Sequence, residues 1–295
     1  VNAHTRGLIV GFITVLLFGM TVILQAILVE EGIKPFAAVG IRYLVAGIVC
    51  LVIVVITRQS VLPHKGERIP AVLLGAFVYG LQAVLFYNAL NFGTVASVSL
   101  LFYTYPVIVL LASLALGIRR WSWISGGSAG LCVLGAAFVV ATGRDVTIEP
   151  VGIALALGSA CFVAGFLLVN KRLIPETPAI VAAAWVSFGV AASTLLIALP
   201  LGELETFSAR AWLTLVISGA LTGLATAGMY VMLAALGPAP SSVLLSLQTV
   251  VAIIGSALIL GQPVLAGQII GGIAILVAIA LGAFSTRRES REIPD

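Results

Sequence analysis

Ten apolar runs are separated along this chain by short polar or turn-forming breaks. They cover residues 8–29, 35–56, 70–91, 95–117, 121–142, 151–169, 178–200, 210–235, 240–261 and 266–286. A hydrocarbon layer of ~30 Å takes about 20 helical residues, so each run predicts a membrane-spanning helix. A barrel would instead alternate apolar and polar positions over ~10 residues, which these unbroken runs do not do. The expected fold is an all-α membrane protein with ten transmembrane helices. Pro35, Pro70, Pro178 and Pro240 fall where helices are expected to begin, in a first turn that does not need the missing N–H.

The pattern repeats. Gly93 to Gly117 returns as Gly237 to Gly261, and one offset of 144 carries Ser97 onto Ser241, Leu100 and Leu101 onto Leu244 and Leu245, Leu116 onto Leu260 and Gly127 onto Gly271. The polar stretch Thr142 to Val151 divides the runs five and five. This predicts a first five-helix repeat over 1–142, a linker over 143–150, a second repeat over 151–286 and a cytoplasmic tail over 287–295. Five is odd, so the second repeat starts from the opposite face and the halves are inverted, as in many transporters built around a midplane site.

Composition agrees with a membrane protein. The chain is 61% hydrophobic and 9% charged, with a mean hydropathy of +1.22. Lys and Arg are distributed unevenly. Arg6, Arg58, Lys65, Arg68, Arg119, Arg120, Lys171, Arg172, Arg287, Arg288 and Arg291 fall on one expected side, while Lys34, Arg144 and Arg210 fall on the other. The positive-inside rule then puts both termini in the cytoplasm, with a bacterial inner membrane as the expected location. Scattered basic residues without interleaved aromatics argue against nucleic acid. The first run reads as an uncleaved span rather than a signal peptide. Cys50, Cys132 and Cys161 lie in apolar runs without metal spacing, and read as packing residues.

Phe18-Gly19, Ile41-Arg42-Tyr43, the two glycine-bounded stretches and Gly158 to Arg172 (GSACFVAGFLLVNKR) resemble the drug/metabolite transporter superfamily. The likeness is to its EamA-type branch and, within that, to YddG-like amino acid exporters. It covers nearly the whole chain as two five-helix units and implies export of small metabolites, aromatic amino acids among them. Two departures stand out. The family's Trp-Gly is Phe18-Gly19 here, and a glutamate often found at the end of the fourth helix is replaced by Gly117-Ile-Arg-Arg120.

All eleven carboxylates and both histidines fall outside the predicted spans. A multidrug antiporter that trades a proton for an organic cation lacks its buried acid here, and a sugar-phosphate carrier would want more cations than Arg42. A zwitterion is easier to hold with hydroxyls, amides and aromatic faces. Tyr79, Gln82 and Phe86 share one face of the third run, and their repeat mates are Gly223, Thr226 and Tyr230. Thr104 and Gln248 correspond in the fourth and ninth runs, flanked by Tyr103, Tyr105, Ser246 and Thr249. Gln25 and Asn170 correspond at an offset of 145. The substrate-binding candidates are therefore Tyr79, Gln82, Phe86, Tyr103, Thr104, Thr226, Tyr230, Ser246 and Gln248.

Packing between helices competes with substrate binding as a reading for each of these residues. Arg42 is either a tie near the outer face or a substrate or gate contact, and Pro106 predicts a kink that its mate Val250 need not share. Tyr43 and Trp212 read as interface anchors. Gly126 to Gly130 fits a hydrolase GxSxG but lacks the strand-turn-helix context and a histidine base, so its small residues are expected to bring helices together. No cofactor, metal or catalytic residue is expected. The partners are the bilayer and a small-molecule substrate, with the oligomeric state open. The function that follows is export of small amphipathic metabolites, amino acids included, by alternating access. A multidrug or nucleotide-sugar carrier on the same fold, a membrane enzyme and a scaffold are the alternatives.

Overall fold

A computed structural model describes residues 3–117, 122–143, 148–204, 207–236, 241 and 244–292. Among them ten helical segments follow one another: α1 (Ala3–Glu30), α2 (Pro35–Ile56), α3 (Arg68–Ala89), α4 (Val95–Ala115), α5 (Trp123–Gly143), α6 (Pro150–Leu173), α7 (Ala179–Ala198), α8 (Ala209–Leu236), α9 (Leu244–Ile259) and α10 (Ala266–Glu292). Seven are long and apolar enough to cross a membrane, and Gly126–Thr142, Leu244–Ile259 and Ala266–Gly282 are shorter apolar stretches. Gly237, Pro240, Arg119, Arg120 and Arg144 lie outside the described residues.

Pro35 opens α2 as expected. Pro70 sits inside the first turn of α3 and Pro178 is the cap preceding α7. The repeat is visible in the backbone. Gly117 and Gly261, repeat mates, both end their helices in the left-handed region, at φ 67° and 65°, where a Cβ is disfavoured.

The segments alternate in direction. The connection between α1 and α2 meets the one between α7 and α8, where Glu203 accepts a hydrogen bond from the Ala37 N–H at 3.0 Å and Arg210 pairs with Glu31 at 2.9 Å. The α3–α4 connection lies beside those of α5–α6 and α9–α10, through the Gly93–Ile148 bridge and the Val95 N–H to Gln262 bond of 2.9 Å. The α2–α3 and α6–α7 connections meet at the other end. There Glu67, only 7% exposed, accepts from the N–H groups of Glu176 and Thr177 and from the Thr177 hydroxyl. Each repeat thus lends a loop carboxylate to the other near the start of its second helix: Glu203 takes the Ala37 N–H in the first turn of α2, and Glu67 takes N–H groups of the connection that leads into α7. The Ala37 N–H, in the first turn of α2, has no partner inside its own helix.

Neighbour relations also exchange with the repeat. α1 packs on α8 as α6 packs on α3, α1 on α9 as α6 on α4, and α2 on α7 and α5 on α10 are self-matched. Small residues make these crossings close. A Cβ on Gly219 would lie 2.7 Å from the Arg42 carbonyl oxygen, and one on Gly75 would collide with that of Val186. Both pairs are related by the 144 offset. Gly223 likewise passes under α2 at Ala46, but its mate is Tyr79, and here the halves diverge. α3 answers with a π turn over Leu74–Tyr79, a device that re-aims a helix face by one residue.

Other expectations need correction. Gly127 and Gly130 face open space, and close approach of α5 to α10 comes instead from Gly135 and Gly271, whose added Cβ atoms would each meet the other's carbonyl. Ser128 is fully buried and donates to the Ala278 carbonyl at 2.7 Å, so its hydroxyl ties two helices. Cys50 and Cys132 are buried, but Cys161 is exposed, in an apolar groove with Val78 and Phe162.

Glu67 gives a test of the inter-repeat contact. Burial pushes its carboxyl up, but the Thr177 hydroxyl, the two N–H groups and nearby His64 outweigh that and hold it below the ordinary value. A depressed folded value means that the native state binds fewer protons, so its contribution to stability is present above pH ~4.5 and is lost as pH falls through the folded value. At pH 7, Glu67→Gln should melt several degrees below wild type in detergent, and the gap should narrow at pH 4. Thermal denaturation at the two pH values checks this.

Candidate functional site

A cavity of about 240 Å³ lies between the repeats, walled by α1, α2, α3, α4, α6, α7, α8 and α9. It is smaller than the ~300–1,000 Å³ of sites for drug-sized ligands. Its wall is rich in aromatic rings. Five of the six tyrosines line it, namely Tyr43, Tyr79, Tyr103, Tyr105 and Tyr230, together with Phe18, Phe86, Phe102 and Phe166. The rings form two connected groups. Tyr79 meets Tyr43 edge-on at 5.8 Å and Phe166 at 4.7 Å between centroids, while Phe102 contacts Phe86, Tyr103 and Tyr105 at 5.0 to 5.5 Å.

The broken helices explain where these rings sit. α4 is interrupted at Tyr103 and Thr104, between Val95–Phe102 and Tyr105–Ala115. Pro106 lies in the first turn of the second piece, so the Phe102 carbonyl loses its usual i+4 donor. α9 is interrupted at the matching place, Leu247, before Gln248–Ile259, although Val250 keeps its N–H and donates to the Leu247 carbonyl at 3.0 Å. The kink expected at Pro106 is one that Val250 need not share, and the structure breaks the helix at both places. Both halves break beside the cavity, and proline is not required for it.

Of the candidate residues, the cavity brings together Tyr79, Gln82, Phe86, Tyr103, Thr226, Tyr230 and Gln248, with Arg42, Gln25 and Asn170. Thr104 is not at the wall: its hydroxyl donates to the Leu101 carbonyl at 2.7 Å, within its own broken turn. Ser246 is buried away from the cavity, as is Thr249, because the turn at Leu247 aims Leu245 and Gln248 inward instead. Pro106 shapes the wall without lining it. Gln82 is partly engaged: its amide donates to the Ser159 hydroxyl at 3.0 Å, which donates back to the Gln82 carbonyl at 3.0 Å. Thr226 donates to the Thr222 carbonyl.

Tyr43 corrects the expectation of an interface anchor, and Arg42 lies beside it. Both are buried, 7% and 5% exposed, and both line the cavity. The guanidinium carbon of Arg42 lies 4.8 Å from the Tyr43 ring centroid, a cation–π contact. Among the described residues no carboxylate pairs with Arg42, and none lines the cavity. Trp212 is half exposed on α8. The residues missed are mainly apolar: Phe102, Phe166, Val163, Leu245 and Met229. Phe166 could have been found from Asn170, one helical turn away.

The EamA-like transporter family model matches residues 5–141 and 150–283, one match per repeat. Among solved structures, 25 chains match significantly. One of them, described only as "Crystal structure of protein", is 18% identical and superposes over 97% of this chain and 99% of its own with a TM-score of 0.69. At that identity the likeness is one of fold. No curated protein matches significantly. With both halves matched over nearly their full length and arranged around one cavity, the chain belongs to the EamA-like transporter family of the drug/metabolite transporter superfamily.

Proposed function

We propose that this protein is a ten-span carrier of the bacterial inner membrane, with both termini cytoplasmic, that exports small amphipathic metabolites, amino acids and aromatic ones among them. The observation that carries the substrate class is the cavity wall: nine aromatic rings, one buried guanidinium, amide groups and, among the described residues, no carboxylate. A carboxylate substrate finds its counter-charge at Arg42, an apolar side chain finds the rings, and an ammonium group finds carbonyl oxygens and ring faces.

Alternating access is supported by the exchange of neighbour relations between halves, since two similar half-structures on one site can adopt each other's conformation. The distribution of Lys and Arg supports the orientation. With every acid outside the predicted spans, no carboxyl is expected within the membrane to carry a coupled proton. Export is then facilitated and follows the substrate gradient.

Purified protein in liposomes loaded with labelled phenylalanine or leucine should release label without an imposed pH gradient. Release only with such a gradient would overturn facilitated export. Release of organic cations or nucleotide sugars, with no amino acid flux, would overturn the substrate class.

A further inference from the structure

Two side-chain oxygens at the cavity are left unpaired, and the repeat relates them. Gln25 on α1 is only 4% exposed and lines the cavity. Its amide nitrogen donates to the Thr21 carbonyl at 3.1 Å, which leaves Oε1 as the free end, buried and without a partner. Asn170 on α6 also lines the cavity, and its Oδ1 is likewise buried and unpaired. A buried acceptor without a donor is costly, and two at related positions on one cavity point to a common occupant.

Their places in the bundle differ in a useful way. Gln25 lies within the last two turns of α1, toward the end where the α1–α2 and α7–α8 connections meet. Asn170 lies in the last turn of α6, toward the opposite end, where the α2–α3 and α6–α7 connections meet. One acceptor therefore sits toward each end of the bundle, and so toward one of the two mouths that alternating access opens in turn. Neither can be answered by Arg42 in the present arrangement, because both are unpaired with Arg42 in place. What they lack is a donor, and a transported ammonium group brings three.

We propose that Gln25 and Asn170 are paired, mouth-specific acceptors for the substrate ammonium group, Gln25 at the outer mouth and Asn170 at the cytoplasmic one. This rests on the amino acid reading above and on its orientation. The substrate is then a primary amine that also carries a carboxylate, its ammonium group taken by one amide oxygen at a time. N-acylated amino acids, which lose the charge and two of the three donors, are discriminated against, and so are neutral metabolites.

The test measures phenylalanine and N-acetylphenylalanine transport in liposomes with oriented protein, titrating substrate from each side. Gln25→Met and Asn170→Leu keep the volume and remove the acceptor, while Gln25→Glu and Asn170→Asp keep it. Gln25→Met should raise KM for phenylalanine roughly tenfold from the outer side, with little change from the inner side, and Asn170→Leu should do the reverse. N-acetylphenylalanine, a poor substrate throughout, should be unaffected. The acid variants should bind phenylalanine at least as well as wild type, which also controls for folding if either acceptor-free variant fails to express.

Equal KM from both sides in both acceptor-free variants would overturn the pair, as would equal losses for the amine and its acetylated form, or loss of phenylalanine binding in the acid variants. A wild type that moves neither compound would overturn the amino acid reading itself, and the pair with it.

Discussion

Arg42→Met should raise KM for a carboxylate-bearing substrate by roughly 10- to 100-fold, the equivalent of the ~1.5–3 kcal/mol that a hydrogen bond to a charged group contributes. Arg42 is the one cation at the cavity wall among the described residues. Its charge is held in place by the ring of Tyr43 and is not neutralised by any described carboxylate. A buried charge without a counter-ion is costly, and so is found where it faces water or a ligand. Phenethylamine, which keeps the ring and the ammonium but lacks the carboxylate, should compete equally well against variant and wild type. Arg42→Lys should fall between, because an ammonium cannot reproduce the planar, two-pronged contact of a guanidinium. Competition assays on folded protein of each variant decide the matter. Equal losses for phenylalanine and phenethylamine would make Arg42 a helix tie, and its role at the substrate carboxylate would fall.

What could be read from the sequence is what depends on periodicity. The apolar runs located all ten helices, and the 144 offset found matched features, such as Gly117 and Gly261, that the backbone then shows in the same conformation. Tyr79, Gln82 and Phe86 were legible because they run at i, i+3 and i+7 from the last residue of the π turn into the ordinary α geometry of Gly80–Ala89.

Thr104 and Ser246 were misplaced for the complementary reason. Each sits at a helix break, and a face derived from an unbroken helix does not survive one. The inter-repeat contacts of Glu67 and Glu203 were invisible because their partners lie 110 and 166 positions away in sequence. Loop acids look merely solvated until the fold brings a helix start beside them. Phe102 and Phe166 were passed over because an apolar ring lining a cavity has the same sequence signature as one filling a core.

Glycine packing leads to the second large effect. Gly75→Ala and Gly219→Ala should each destabilise the protein by about 1–3 kcal/mol, the usual cost of overpacking, whereas Gly130→Ala should be neutral or stabilising by ~0.5–1 kcal/mol from helix propensity alone. The opposite signs follow from what each Cβ would meet. At Gly130 there is nothing within 4 Å. At Gly219 a Cβ would lie 2.6 Å from the Val45 Cβ and 2.7 Å from the Arg42 carbonyl oxygen, and at Gly75 it would meet the Val186 carbonyl. Backbone atoms of a helix cannot rotate aside as a flexible side chain can, so the crossing helices must separate. That separation reaches the cavity, because Arg42 and Val186 both line it. Transport by whatever folded protein remains should therefore fall as well, Gly219→Ala acting through the position of Arg42 and Gly75→Ala through Val186 and the π turn that carries Tyr79. Melting curves and flux per folded molecule separate the two effects. Unchanged melting in both variants would mean that the helices already sit farther apart than these contacts require, and the close crossings would not be what fixes the cavity wall.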